Sequence, residues 1–389
     1  MALELGRIAE QVEEIGRDLA EGAQRLRRAL PALRALRSLY AHQGERLRTL
    51  ASSAAGREMA CALPTHEPLD AIFPAPEPPP RATILATDGS QIYPDPHGMV
   101  LYYLINIGGL VYRHGSGQAP WAASVPQVGR AVDAAGDLVT ADQIDARRDV
   151  AELRMLADLA EAEAAAGEGV PLVALLDSTL GLRAWSAAIP QAEQGALRQS
   201  YIAQGERLQR AGAALAGFLS RSRRAGTVHL LDLAQQAETG GLRTGPSPFL
   251  GLNDALLWGD LRPGERSALL VEPDEPPIYF FYLNPEPPGG PTLPGVEAEP
   301  ARVELPEWVA CNPERLGWVH ALVYDQCRLN NGYPYVLSRA DELAIILNEE
   351  REALERMLWQ VLGRHGLPLP RPSPKERQKR VVRAPFRRR

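Results

Sequence analysis

Two short apolar runs in this sequence each stop at an aspartate, and this repeated pattern most constrains the fold. The run "ATILATDGS" stops at Asp88, and the run "VPLVALLDST" stops at Asp177. Both are rich in aliphatic or β-branched residues and predict buried strands. Between them, "ADQIDARRDVAELRMLADLAEAEAAAG" predicts an amphipathic helix that ends at Gly167. The sequence therefore predicts an α/β fold in which two strands end on carboxylates.

The first sixty residues predict helix. Ile8, Val12, Ile15 and Leu19 follow one another at alternating spacings of four and three residues, as on one helix face. We expect this stripe to be a packing face, with an intermolecular coiled coil as the alternative. Pro31 predicts a break or a kink, and hence a helical hairpin or a bent long helix.

The remaining elements follow from local patterns. "MVLYYLINIGGLVYRHG" predicts a strand that turns into another strand, with a hairpin or bulge at Gly108-Gly109. Residues 191–225 predict one helix, and "TVHLLDLAQQA" predicts a strand leading into a helix. "SALLVEP" and "PIYFFYLNP" predict paired strands, and "ARVELPEWV" predicts a further strand. Residues 313–366 predict two helices separated at 330–334.

Composition and charge limit the class of protein. The formal net charge is −6, but residues 371–389 hold nine basic residues and one acid. This basic tail predicts either a phosphate-binding arm or a solvated terminus. No apolar run reaches the roughly 18 residues of a membrane span, and the start lacks the pattern of a signal peptide. Three widely spaced cysteines give no disulfide framework, so we expect a cytoplasmic protein.

Two strand-end aspartates with an acid-bearing helix between them fit a site for divalent cations. Mg²⁺ and Mn²⁺ prefer carboxylate oxygens, and a pair of such ions can activate water and stabilise the leaving oxygen of a phosphodiester. The alternative is that Asp88 and Asp177 are turn residues or helix caps. A haloacid dehalogenase-type site is excluded because Ala86 stands where a second Asp is needed. Walker, dinucleotide-binding and G-x-S-x-G motifs are absent.

Four motifs together resemble NurA-type nucleases. "ATDGSQIYPDPHGMVLYYLINIGGLVYRHG" is similar to the first NurA motif, in which a strand ends in D-G-S and a "YYLINIG"-like strand follows. "LVALLDSTL" is similar to the second Asp motif, usually D-G-S-L, with Ser178 here in place of Gly. "ARVELPEWVA" and "GYPYVLSRADELAII" look like the closing strand and the final helix. The resemblance spans about Arg81 to Leu347 and keeps the motif order.

The resemblance implies an RNase H-like mixed sheet flanked by helices, with an N-terminal helical element and a basic C-terminal tail. The implied domains are an N-terminal helical region at 1–62, a Pro-rich connector at 63–82, a nuclease domain at 83–366 and the tail at 367–389. The implied activity is Mn²⁺-dependent DNA cleavage, with Mg²⁺ as the other cation. A 5′-to-3′ exonuclease, with single-stranded DNA endonuclease activity as an option, would act beside a HerA-type hexameric translocase. A homodimer is also implied.

The resemblance also implies the site residues. Asp88 is matched to the first metal ligand and Asp177 to the second. The family's Glu on the intervening helix is matched by Glu152, with Glu161 and Glu163 as weaker matches on later turns.

The last helix departs from the family pattern. Many members present a His after the Gly-Tyr-Pro motif, and Asp341 stands at that position here. An Asp can bind Mn²⁺ or position water, but it cannot act as the acid that a protonated His is. This departure leaves an altered site or reduced activity. The alternative function is therefore a weak or inactive DNA-end adaptor that serves as a scaffold for the translocase.

Five further residues are weaker predictions for DNA contacts. Arg147 and Arg148 lie one turn before the helix glutamate and could bind phosphate or form a surface ion pair. Arg221 and Arg223 could line a DNA channel or mark a charged helix end. Tyr335 could stack on a base or pack inside the protein.

Overall fold

The computed structural model describes residues 8–96, 100–132, 136–167, 169–182, 185, 189–240, 245–289 and 299–366. The basic tail predicted at 367–389 lies outside these residues. No helix in the described ranges is long and apolar enough to span a bilayer.

The chain forms two compact units, each assembled from separate segments. The first unit comprises Met1–Pro78, Ser178–Gly181 and Ala216–Pro334. The second unit comprises Pro79–Asp177, Leu182–Leu215 and Tyr335–Arg389.

Helices and strands alternate along much of the described chain. The helices are α1 Ala9–Leu39, α2 Gly44–Ala51, α3 Ala54–Glu58, α4 Ala141–Ala165, α5 Gln191–Arg210, α6 Gly226–Glu238, α7 Asp254–Leu257, α8 Glu307–Ala310, α9 Pro313–Leu329, α10 Tyr335–Ala344 and α11 Asn348–Arg364. The strands are β1 Leu63–Pro64, β2 Ile72–Phe73, β3 Ala82–Ile92, β4 Tyr102–His114, β5 Trp121–Arg130, β6 Leu172–Leu176, β7 Ala214–Leu219, β8 Arg266–Ser267, β9 Leu270–Glu272, β10 Ile278–Leu283 and β11 Ala301–Pro306.

The first unit packs helices on antiparallel strands. Its strands follow the order β1, β9, β10 and β11, and residues 217–219 of β7 pair with β11. The predicted pairing of "SALLVEP" with "PIYFFYLNP" is confirmed, because β9 pairs with β10. Fully buried Leu33, Leu47, Leu231, Trp258 and Phe280 belong to the core that joins the N-terminal helices to these strands.

Helix α1 is not broken at Pro31. It continues to Leu39, and buried Leu33 and Leu36 lie beyond the proline. A proline removes only one backbone donor, and core packing holds the turn that follows it. The predicted packing face is wrong for the N-terminal half, since Val12 and Ile15 are each 58% exposed.

The second unit contains the mixed sheet. Strands β3, β4 and β5 are antiparallel neighbours, and β6 lies parallel to β3 on its other side. Helices α4 and α10 pack against β3 and β4. The predicted RNase H-like mixed sheet flanked by helices is therefore confirmed.

The predicted hairpin or bulge at Gly108-Gly109 is wrong. Strand β4 runs without interruption through both glycines and pairs with β3 at every residue from 104 to 114. A Cβ on Gly108 would lie 2.2 Å from the Ala340 backbone oxygen in α10. A Cβ on Gly109 would lie 2.3 Å from the Met155 side chain in α4. The glycines therefore permit close helix packing rather than a turn.

Three other local predictions need correction. The helix predicted over 191–225 ends at Arg210, and Gly212, at φ +80°, precedes strand β7. The strand predicted at the start of "TVHLLDLAQQA" is helical, because Asp254 accepts hydrogen bonds from the first amides of α6. The C-terminal region holds three helices instead of two. Helix α11 has no fully buried residue and packs through Leu354 and Leu358.

Candidate metal centre

Asp88 and Asp177 lie at the same end of two parallel neighbours. The register of β3 and β6 pairs Thr87 with Leu176, so the two aspartates are the next residue on each strand. Asp88 is still within β3 and pairs across the sheet with Gly108. Asp88 is half-buried and Asp177 is exposed. The parallel register is what brings the two predicted carboxylates together.

Glu152 is carried by α4 to the same region. Helix α4 begins with a reciprocal capping box between Thr140 and Gln143, which fixes its first turn. Three turns later, the Thr87 hydroxyl donates to the Glu152 backbone oxygen over 3.1 Å. This bond joins the helix to strand β3 one residue before Asp88. The Glu152 side chain is only 6% exposed.

Asp341 is carried by α10, whose C-terminal end is bound to the sheet. The Asn106 amide donates to the backbone oxygens of Leu343 and Ala344, over 3.3 and 2.9 Å. The Ser90 hydroxyl donates to the same Ala344 oxygen. The helix end therefore has acceptors satisfied by β3 and β4, and Asp341 is held next to Asp88.

The four predicted acids perturb one another electrostatically. We call Asp88, Glu152, Asp177 and Asp341 the carboxylate cluster. Burial raises the pKa of Asp88 to about 6, against the lowering effect of a hydrogen bond from the Gly89 amide. Asp341, within hydrogen-bonding reach of Asp88, and Asp177 raise the Asp88 pKa further. Two carboxyls at this distance favour a shared proton or a shared cation.

Burial also raises the pKa of Glu152 well above its usual value. The Arg148 guanidinium acts in the opposite direction, with Nε 3.1 Å from Glu152 Oε1. Asp88 and Asp177 are close enough to add to the raised pKa of Glu152. The structure thus brings together all four predicted site acids within the second unit.

The cluster suits hard cations by its chemistry. Every member offers carboxylate oxygens, the ligands that Mn²⁺ and Mg²⁺ prefer. Among the described residues, however, no three His, Cys, Asp or Glu side chains are already arranged to hold an ion. The mutual pKa effects show proximity, and the missing cage shows that the side chains point in different directions. Glu152 Oε1, for example, faces Arg148.

Gly89 is a site residue that sequence reasoning missed. A Cβ at this position would lie 2.5 Å from Glu152 Oε1 and 2.7 Å from Arg148 Cγ. Only glycine leaves room for α4 to bring its glutamate against β3. The available signal was the D-G-S motif itself, in which the glycine directly follows the metal-site Asp.

The arginines predicted as DNA contacts are engaged within the protein. Arg147 donates from Nε and Nη2 to Glu193 and from Nη1 to the Tyr103 hydroxyl. Arg148 forms the ion pair that was the alternative to phosphate binding. For both residues, the contact with DNA stays a prediction.

The other predicted DNA contacts lie elsewhere. Tyr335 is half-buried and meets the Tyr112 ring edge-on at 6.1 Å. Arg221 and Arg223 are exposed and belong to the first unit. They lie in the loop between β7 and α6, so the alternative of a charged helix end is wrong. Arg221 lies 3.5 Å from Glu299.

A family model described as the NurA domain matches residues 82–346. The chain belongs to the NurA family. The matched range includes the whole carboxylate cluster. The predicted family resemblance is therefore confirmed over most of its proposed span.

Solved NurA structures share the fold. The crystal structure of the NurA nuclease from Sulfolobus solfataricus covers 94% of this chain and 98% of its own, at 12% identity and a TM-score of 0.51. A crystal structure of NurA bound to dAMP and manganese covers 92% of this chain and 97% of its own, at 12% identity and a TM-score of 0.39. No curated protein matched the sequence.

Proposed function

We propose that this NurA-family chain is a metal-dependent DNA nuclease that hydrolyses phosphodiester bonds. The observation that carries the proposal is the meeting of strand-end Asp88 and Asp177 in the parallel register of β3 and β6. Asp341 and Glu152 lie near enough to affect the ionisation of Asp88 or to be affected by it. Family membership supports the same conclusion, because the solved relative from Sulfolobus solfataricus is described as a nuclease.

The proposed cofactor is Mn²⁺, with Mg²⁺ as an alternative. Asp88, Glu152, Asp177 and Asp341 are the proposed ligands. When bound, a pair of such ions would activate water and neutralise the charge that develops on the phosphate. Carboxylates repel one another, so we expect the cation to draw the side chains into their final arrangement. A NurA structure with bound manganese and dAMP supports this choice of metal within the family.

The protein side chains then have distinct proposed roles. Asp88 and Asp177 project from rigid strand ends and fix the position of the site. Glu152 supplies a carboxylate from a desolvated position, where its charge acts strongly. Asp341 orders the site from α10. Because Asp341 replaces the family His, it can hold a cation but cannot donate a proton as an imidazolium does.

Finer features of the function are proposed from the family resemblance. These are 5′-to-3′ exonuclease polarity, single-stranded DNA endonuclease activity, a role in DNA end processing and a HerA-type translocase partner. A homodimer is proposed as the working form. The proposed location is the cytoplasm, where a reducing environment suits free Cys61, Cys311 and Cys327.

The test compares glutamates on one helix. The purified protein should cleave linear DNA only with added Mn²⁺ or Mg²⁺, and Glu152→Gln should reduce the rate by at least about 100-fold. Glu161→Gln is the matched control, because Glu161 is exposed and pairs with Arg207. Cleavage should persist in that control. Equal loss in both variants, or no cleavage by the unmodified protein with its translocase present, would contradict the proposal.

One observation favours a second candidate function. The carboxylate cluster is not arranged as a ready-made cage, and Asp341 stands in place of the family His. These features fit a NurA-fold DNA-end adaptor that serves as a scaffold for the translocase. Asp88→Asn distinguishes the two functions. A nuclease should lose cleavage and keep DNA binding, whereas an adaptor should change in neither.

A further inference from the structure

Arg148 is the basic residue in closest contact with Glu152, and its side chain turns inward. The guanidinium is only about one-quarter exposed, at 27%. Its Nε lies 3.1 Å from Glu152 Oε1, without the alignment of a hydrogen bond. The contact is therefore an ion pair, which leaves the carboxylate lone pairs available for a cation.

The other two guanidinium nitrogens are bound to side chains that hold Arg148 in place. Nη1 donates to Gln91 Oε1 over 3.0 Å, and Nη2 donates to Asp149 Oδ1 over 3.1 Å. The second oxygen of Asp149 accepts from Trp185 Nε1 over 2.9 Å. All three guanidinium nitrogens thus face protein groups, and the orientation of the fork is fixed from two sides.

Gln91 is itself held at the end of β3. Its amide donates to the Tyr93 hydroxyl over 2.7 Å and to Asp145 Oδ1 over 3.1 Å. The Tyr93 hydroxyl donates to the same Asp145 oxygen over 2.6 Å. A continuous hydrogen-bonded chain therefore runs from Asp145 and Tyr93, through Gln91, to Arg148. This chain links the strand that carries Asp88 to the helix that carries Glu152.

We propose that Arg148, held by Gln91 and Asp149, is a positioning residue that orients the Glu152 carboxylate for the divalent cation. This inference rests on the proposed nuclease function, but it concerns a residue outside the carboxylate cluster. Side chains that orient a metal ligand usually change metal affinity by about 10- to 100-fold when removed. Arg148 would thus act through Glu152 rather than by contact with DNA.

The test measures Mn²⁺ binding directly, by electron paramagnetic resonance or calorimetry at one fixed pH. Arg148→Gln should weaken the affinity by about 10- to 100-fold. Arg148→Lys keeps the charge but cannot bridge Gln91 and Glu152 as a fork, so an intermediate loss is expected. Gln91→Leu, which leaves the ion pair but removes its support, should give a smaller loss than Arg148→Gln.

The adjacent arginine provides the control. Arg147 has its own partners, Glu193 and Tyr103, and Arg147→Gln should keep the Mn²⁺ affinity of the unmodified protein. Thermal melting checks that each variant is folded, and Arg148→Lys and Gln91→Leu decide the matter if Arg148→Gln does not fold. Folded variants that bind Mn²⁺ as tightly as the unmodified protein, or more tightly, would overturn the inference. Absence of Mn²⁺ binding by the unmodified protein would instead overturn the proposed function, and this inference with it.

Discussion

At the residue scale, Gly89 is constrained by two side chains at once. Gly89→Ala places a methyl group 2.5 Å from Glu152 Oε1 and 2.7 Å from Arg148 Cγ. Overpacking of this kind typically costs about 1–3 kcal/mol. We expect a loss of this size in the free energy of unfolding, measured by urea denaturation. A weaker Mn²⁺ affinity should accompany it, because Glu152 must shift.

Gly195→Ala is the matched control for this substitution. Gly195 lies in α5 of the same unit, and a Cβ there would meet nothing within 4 Å. Alanine is favoured over glycine in helices by about 0.5–1 kcal/mol, so this variant should be slightly stabilised. A Gly89→Ala protein with unchanged stability and metal affinity would contradict the steric account.

Asp254 provides a pH prediction at the same scale. Burial raises its pKa to about 6, although the amides of Thr227 and Val228 and the charge of Arg302 lower it. The folded state therefore binds this proton more tightly than the unfolded chain does, whose pKa is near 3.8. The resulting stabilisation is complete below about pH 3.8 and is lost as the pH rises through about 6.

The measurement is the free energy of unfolding from urea titrations between about pH 4 and pH 7. The unmodified protein should lose up to about 3 kcal/mol relative to Asp254→Asn as the pH rises over this interval. Asparagine can still accept from the two α6 amides, so this variant should fold. Parallel stability curves for the two proteins would show that Asp254 does not titrate in this range.

At the element scale, α10 depends on Asn106 for the position of its C-terminal end. Asn106→Ala leaves the backbone oxygens of Leu343 and Ala344 without this donor. A lost partner for a buried polar group costs about 1–3 kcal/mol. Because α10 carries Asp341, we expect both a lower unfolding free energy and a reduced Mn²⁺ affinity.

Arg339→Ala is the control on the same helix. Arg339 is exposed and pairs with Glu342 along the helix surface. Surface changes of this kind usually alter stability by less than about 0.5 kcal/mol. If both variants behaved alike in denaturation and Mn²⁺ binding, the hydrogen bonds of Asn106 would not be what positions α10.

Element prediction from sequence succeeded where the signal was local. The strands that end at Asp88 and Asp177 and the helix between them follow from apolar patterning, and α4 also carries its own cap. The errors came from contacts distant in sequence. Strand β4 contains glycines because two helices press on it, and α6 is capped by Asp254, 27 residues beyond Thr227.

The candidate site was predictable in the same way. Carboxylates at strand ends follow a pattern in the chain, whereas their mutual approach depends on the β3–β6 register. The support for Glu152 could not be predicted, because Gln91 and Arg148 are 57 residues apart. Arg148 was predicted as a possible phosphate contact, and its inward contacts are visible only in the folded protein.

At the scale of the whole molecule, the basic tail at 367–389 gives a separate prediction. If it binds DNA, its deletion should weaken binding and flatten the dependence of affinity on salt. Each phosphate contact on duplex DNA contributes about 0.9 to the log–log slope. Fluorescence anisotropy at several salt concentrations measures both quantities. An unchanged slope would assign the tail to another partner.

The central claim is that the carboxylate cluster holds the catalytic cation. Anomalous diffraction from crystals soaked in Mn²⁺ tests this most directly. The account predicts a peak in the second unit within about 2.0–2.6 Å of oxygens from Asp88 and Asp177, with Glu152 and Asp341 turned toward it. No peak at this position, or a peak ligated only by other residues, would contradict it.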